Sequence, residues 1–100
     1  EHSLAFKDIS PSAPHHVLVI PKGAYVTYDH FAAEASEAEI VDYTRAIGQV
    51  CAQLGVDPGA GGGGYRMISN AGEHGVQEVP HLHVHILAGR NIGRMIEKQG

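Results

Sequence analysis

Cysteine is nearly absent from this chain: Cys51 is the only one in 100 residues. A single thiol excludes a disulfide framework and fits a reducing compartment, so a cytoplasmic setting is expected. Basic residues are scarce too, seven Lys and Arg against eleven Asp and Glu, for a net charge of −4. That balance excludes bulk electrostatic attraction to nucleic acid or to an acidic membrane surface. Any phosphate ligand has to be held locally, by directed donors. No apolar run approaches membrane-spanning length, and no signal-peptide pattern is present. The glycine-rich run "DPGAGGGG" (57 to 64) lacks a following Gly-Lys-Ser/Thr and opens no helix. It therefore reads as a plain connection rather than a phosphate loop.

What is present is an ordinary globular composition, 43% apolar, enough for a single domain over residues 1 to 100. A core of this size is adequate but not generous, which makes a homo-oligomer a natural expectation. The chain starts at Glu1 and enters apolar sequence at once, so a preceding segment is expected to be missing.

Two short strands are expected first. "SLAFK" places Leu4 and Phe6 on one side, "DISPSAP" breaks the strand with two prolines and two serines, and "HHVLVIP" (15 to 21) is a β-branched run ended by Pro21. A Pro-rich turn between them suggests an antiparallel pair. Residues 28 to 55 read as helix, with Asp29 to Ala35 as a separate short helix. Ser36 and Glu39 form a capping box, and Gly55 is the expected stop. Ile40, Thr44, Ile47, Cys51 and Leu54 recur at helical spacing and should face the core. "YRMISN" (65 to 70) and "HLHVHILAG" (81 to 89) complete the order β, β, α, β, β. That is an α+β fold, one antiparallel sheet with a helix packed on it.

"PHLHVHILAGR" (80 to 90) carries three histidines spaced by single apolar residues. Strand geometry puts His81, His83 and His85 on one face, about 6.6 Å apart, with Leu82, Val84 and Ile86 on the other, facing the helix. The apolar set explains folding and the imidazoles need another explanation. Three are open from the triplet alone. A solvated strand face would be served as well by Thr, Lys or Glu. A zinc site is chemically sound, since catalytic zinc often has three histidine ligands. Nucleophilic and acid–base chemistry is equally sound, because imidazole attacks phosphorus and exchanges protons near neutral pH.

"HLHVHILAGR" resembles the signature of the histidine triad superfamily. "LAFKDISPSAPHHVLVIPK" is similar to that family's nucleoside-binding segment, and "NAGEHGVQEVPHLHVH" to its phosphate loop and triad strand. The likeness covers nearly the whole chain and is closest to the HINT-type purine nucleoside phosphoramidases, with a bacterial-looking tail. It implies a sheet of about five strands with one long helix, dimerising into a continuous sheet. It also implies hydrolysis of the P–N bond of purine nucleoside 5′-phosphoramidates through a nucleotidyl-histidine intermediate, with no cofactor or metal required. The implied partners are purine nucleoside monophosphate derivatives and a second copy of the chain.

By the same resemblance His83 is the nucleophile, with one ring nitrogen facing phosphorus and the other held protonated by a backbone carbonyl. His85 contacts the phosphate and assists proton transfer, His81 orients the site, and His16 is the family's fourth histidine. Asn70 and Gln77 lie near the phosphate, with backbone N–H groups from Val76 to Glu78. Asp8 accepts hydrogen bonds from the ribose hydroxyls, although in "DISP" it also suits a simple turn. Leu4, Phe6, Lys7, Ile9 and Leu18 line the base pocket, Leu18 equally well a core residue. Two positions depart from the family pattern. Glu78 stands where many members carry Ser or Thr, and an ionised carboxylate there repels phosphate. Val76 replaces a common glycine, which narrows the backbone choices. The rival activities are a dinucleoside polyphosphate hydrolase and a non-catalytic nucleotide- or zinc-binding module.

Overall fold

The β-branched run "HHVLVIP" forms the strand on which the fold is built. In the computed structural model, which describes residues 1–96, it is β2 (His15–Pro21), paired antiparallel with β1 (Ser3–Lys7). Two further strands, β3 (Tyr65–Ser69) and β4 (Val84–Ala88), complete a sheet in the order β1-β2-β4-β3, every pair antiparallel. The sheet thus has four strands among the described residues, one fewer than the resemblance implies. The four are those that the residue pattern itself marks.

Period-two alternation divides the sheet cleanly. Val17, Val19 and Pro21 of β2 and Leu82, Val84 and Ile86 on and before β4 are buried on one face. His16, Leu18 and Ile20 therefore share the opposite face with His81, His83 and His85. The register sets Phe6 opposite Leu18, Leu18 opposite His85, and His85 opposite Ile68. The ladder of β4 starts only at Val84. The preceding segment is extended, and its Leu82 N–H bonds to the Tyr25 carbonyl, 2.7 Å away, so His81 and His83 lie before the strand rather than within it.

The core face is covered by α1 (Tyr28–Glu34) and α2 (Glu37–Leu54). The helical run is interrupted because Ala35 and Ser36 are extended and Ser36 starts a new helix. Its hydroxyl accepts from the Glu39 N–H and the Glu39 carboxylate accepts from the Ser36 N–H, the expected capping box. Gly55 ends α2 at φ +70°, a left-handed cap. The buried stripe of α2 is Tyr43, Val50 and Cys51, flanked by Ile40, Ile47 and Leu54. Thr44, expected on that stripe, is exposed. Tyr43 occupies it instead, because its hydroxyl donates to the Val19 carbonyl at 2.7 Å and its ring packs edge-on against Phe31. Asp42 ties the same helix to β1 by accepting from Ser3 Oγ at 2.7 Å. Among the described residues no helix is long and apolar enough to cross a membrane. Of the tail, residues 97–100 lie outside the described residues.

Candidate active site

The histidine face of the sheet is the floor of a cleft of about 490 Å³. β1 and the turn after it contribute Phe6 and Asp8, and β2 contributes Leu18 and Ile20. The segment leading into β4 contributes His81 and His83, β4 itself contributes His85, and the wall is made by Asn70 and residues 76 to 79. A larger groove, about 710 Å³, runs between β1 and α2. None of the three triplet histidines lines it, so the chemistry belongs to the smaller cleft.

The hydrogen-bond network determines the tautomers. The backbone N–H of Ser12 donates to His16 Nδ1 at 3.0 Å, which makes that nitrogen an acceptor. The proton of neutral His16 is therefore on Nε2, 2.9 Å from His85 Nδ1, and is donated to it. His85 in turn carries its proton on Nε2, the nitrogen His16 does not engage. His83 is set the opposite way. Its Nδ1–H donates to the His81 carbonyl at 2.8 Å, which leaves Nε2 with a free lone pair. His81 Nε2–H donates to the Pro21 carbonyl at 2.9 Å and so ties the segment to the end of β2. The cleft thus presents a basic nitrogen from His83 beside an N–H donor from His85, with ring centroids 5.0 Å apart.

His16 is the buried member, 8% exposed. Asp8 Oδ2 stands 3.5 Å from its Nε2. The other Asp8 oxygen accepts from the Ser10 N–H at 2.7 Å, so the turn role expected of "DISP" is also filled. Burial, then the proximity of His83 and His16, hold His85 below the ordinary imidazole pKa of 6.5, while Asp8 pulls the other way. The unfolded chain therefore takes up this proton more readily than the folded one. Stability from this group is present above about pH 6.5 and is lost as pH falls through the folded value. In urea titrations the midpoint should drop between about pH 7.5 and pH 5, and drop less in His85→Gln. An equal drop in both proteins would show that His85 is not responsible.

The wall departs from expectation in detail. Val76 N–H donates to the Glu73 carbonyl and Gln77 N–H to the Gly72 carbonyl, both at 3.1 Å. Of the three loop N–H groups expected to meet phosphate, only that of Glu78 has no acceptor among the described residues. The Gln77 amide is also engaged, donating to the Val26 and Val79 carbonyls at 2.6 and 3.0 Å. Its carbonyl oxygen accepts from Gly72 N–H at 3.3 Å. Gln77 lines the cleft but acts as the pin of its wall. Val76 is held at φ +56°, a conformation that disfavours a β-branched side chain and costs on the order of 1–3 kcal/mol. The turn tolerates it because Gln77 fixes both ends. At Gly75 an added Cβ would lie 2.5 Å from the Ala71 carbonyl oxygen.

Three residues expected around the base do not line the cleft. Ile9 is 98% exposed, because β1 ends at Lys7 and the Asp8 turn carries the chain outward. Lys7 is exposed on the opposite face of β1 from Phe6. Leu4 lies along the groove beside α2. Ile20 and Val79, not singled out from sequence, do line the cleft. Ile20 was discoverable by stepping two residues along β2 from Leu18. The donor set that the described residues gather tightly enough for a metal is Asp8, His16 and His85, with ligand atoms within 4.8 Å of one another. It is not the triplet: of the three, only His85 belongs to that set.

Comparison with known proteins gives matches in family, sequence and fold. The HIT domain family matches residues 1–92. The chain is 57% identical to an uncharacterised 13.2 kDa HIT-like protein of Azospirillum brasilense, over 98% of this chain and 77% of that protein. It is 39% identical to a purine nucleoside phosphoramidase of Escherichia coli, over 96% of this chain and 76% of that one. A histidine triad protein from Clostridium difficile superposes with a TM-score of 0.79 at 37% identity, covering 96% of this chain and 79% of that structure.

Proposed function

Because the chain belongs to the HIT domain family, we propose that it is a purine nucleoside phosphoramidase acting through a nucleotidyl-histidine intermediate. One observation carries the reading: His83 Nδ1–H is held by the His81 carbonyl, so its Nε2 lone pair is free in the cleft. Neutral imidazole with one nitrogen fixed as donor is a competent nucleophile at the other. The E. coli relative bears the name of this activity at 39% identity.

In the first step His83 Nε2 forms a bond to the α-phosphorus as the P–N bond to the leaving amine breaks. The departing nitrogen needs a proton, and His85 is placed to deliver it. Burial disfavours the His85 imidazolium, but an arriving phosphoryl anion favours it; the proton gained on Nδ1 displaces the His16 Nε2–H, which turns to Asp8 Oδ2, 3.5 Å away. In the second step water attacks phosphorus, His85 takes the proton from that water, and the P–N bond to His83 breaks, releasing the nucleoside monophosphate. The Glu78 N–H and the Asn70 side-chain amide, neither with an acceptor among the described residues, are wall donors available to a phosphoryl oxygen. Before substrate arrives His16 orients His85 through the 2.9 Å bond and so sets its Nε2 as the proton-bearing nitrogen. No metal is needed for this route. Phe6, Leu18 and Ile20 offer an apolar surface to a purine, and Asp8 Oδ2 an acceptor to the ribose.

The chain is further proposed to work in the cytoplasm as a homodimer. The groove between β1 and α2, with half-exposed Leu4 and Val41, and the free edge of β3, with exposed Tyr65 and Met67, support pairing of copies. The test of the function is direct. Adenosine 5′-phosphoramidate should be hydrolysed to AMP and ammonia, with or without a chelator, and faster than a dinucleoside polyphosphate. Faster cleavage of the dinucleotide would favour the rival hydrolase, and loss of turnover with the chelator would point to a metal-dependent site.

A further inference from the structure

The cleft is built to hold a phosphoryl anion, yet its formal charge is negative. Among the described residues lining it are two carboxylates, Asp8 and Glu78, and no Lys or Arg. One Asp8 oxygen accepts from the Ser10 N–H and the other faces His16 Nε2 at 3.5 Å. Glu78 is exposed and forms no salt bridge or side-chain hydrogen bond among the described residues. It is flanked by Val76 and Val79, which are 71% and 57% exposed and line the same wall. An anionic substrate entering such a cleft binds better when it brings its own positive charge. The wall offers that charge a free carboxylate and offers an aliphatic stem two uncovered valines.

We propose that Glu78, with Val76 and Val79 beside it, is the leaving-group selector, and that it favours amines with an aliphatic stem ending in a cation. This rests on the phosphoramidase reading and names the substrate class within it. The carboxylate that repels phosphate in an unsubstituted substrate becomes the partner of an alkylammonium leaving group. Selection comes from the difference between the two cases.

The test compares two adenosine 5′-phosphoramidates of equal length, N-linked to 4-aminobutyl and to pentyl. The wild-type protein should prefer the aminobutyl compound in kcat/KM by about fivefold, the upper end for an exposed ion pair. The preference should shrink as salt is raised toward about 0.5 M. E78Q should bring the ratio close to one and E78D should keep most of it. The same two compounds bound to His83→Ala, with Kd read by calorimetry, report the charge preference without turnover. Hydrolysis of both compounds at equal rates, or a ratio untouched by E78Q, overturns the proposal. Failure to hydrolyse either, with the Kd ratio intact, counts against the phosphoramidase reading and leaves the charge selection standing.

Discussion

Replacing His83 with alanine is expected to lower hydrolysis of adenosine 5′-phosphoramidate by at least about 10⁴-fold, the scale seen when a covalent nucleophile is removed. The loss follows from the geometry. Among the described residues His83 alone combines a free lone pair, a carbonyl fixing its opposite nitrogen and a ring packed beside the His85 donor. His81 Nδ1 also has a lone pair, with Nε2 on the Pro21 carbonyl, but it stands four residues along the extended segment from His85, and both nitrogens of His16 are engaged. The fold should survive, because the neighbouring core residues Leu82 and Val84 face the other way and remain buried. Unchanged circular dichroism together with lost turnover is the expected pair of results. Rapid-quench mass mapping of the wild-type protein should place a nucleotidyl adduct on His83. Turnover near the wild-type rate in the alanine variant would remove the covalent route altogether.

His85→Ala is expected to cost about 10²–10⁴-fold on the same substrate, the range for a positioned acid–base group. The loss should depend on the leaving group. An amine must be protonated as it departs, whereas a phenolate with a low pKa leaves unaided. The variant should therefore retain far more of its rate on an adenosine 5′-phosphate aryl ester than on the phosphoramidate. A merely structural role for His85 would lower both rates alike. The His16–His85 bond crosses 69 positions of sequence, so His16→Ala should show the same leaving-group pattern in weaker form, since it only orients the acid.

Much of this was legible in the residues. The strands at 15 to 21 and 65 to 69, the helix beginning after Ser36 and ending at Gly55, and the alternation that buries Leu82, Val84 and Ile86 all follow from local patterns. Each reflects a period of the backbone or a cap made within four residues. Tyr43 was missed, because a phenol enters a helix stripe only when a specific acceptor waits for its hydroxyl, here the Val19 carbonyl on another element. Ile9 was misplaced because an apolar side chain beside a turn carries no mark of which way the turn throws it.

The cleft wall shows the same boundary between local and distant causes. "NAGEHGVQEVP" marks a loop by composition, but which of its N–H groups stay free depends on the loop's own closure and on Gln77 reaching the Val26 carbonyl, 51 positions away. By itself, then, the amino-acid order determined the elements and put three imidazoles on one face, because side-chain alternation is a property of any extended backbone. Only the tertiary structure decided which imidazole nitrogen carries a lone pair and which carries a proton. A ring is symmetric in its options until its other nitrogen meets a carbonyl or an amide. Those partners are delivered partly by the neighbouring strand, as His16 is for His85 and Pro21 is for His81.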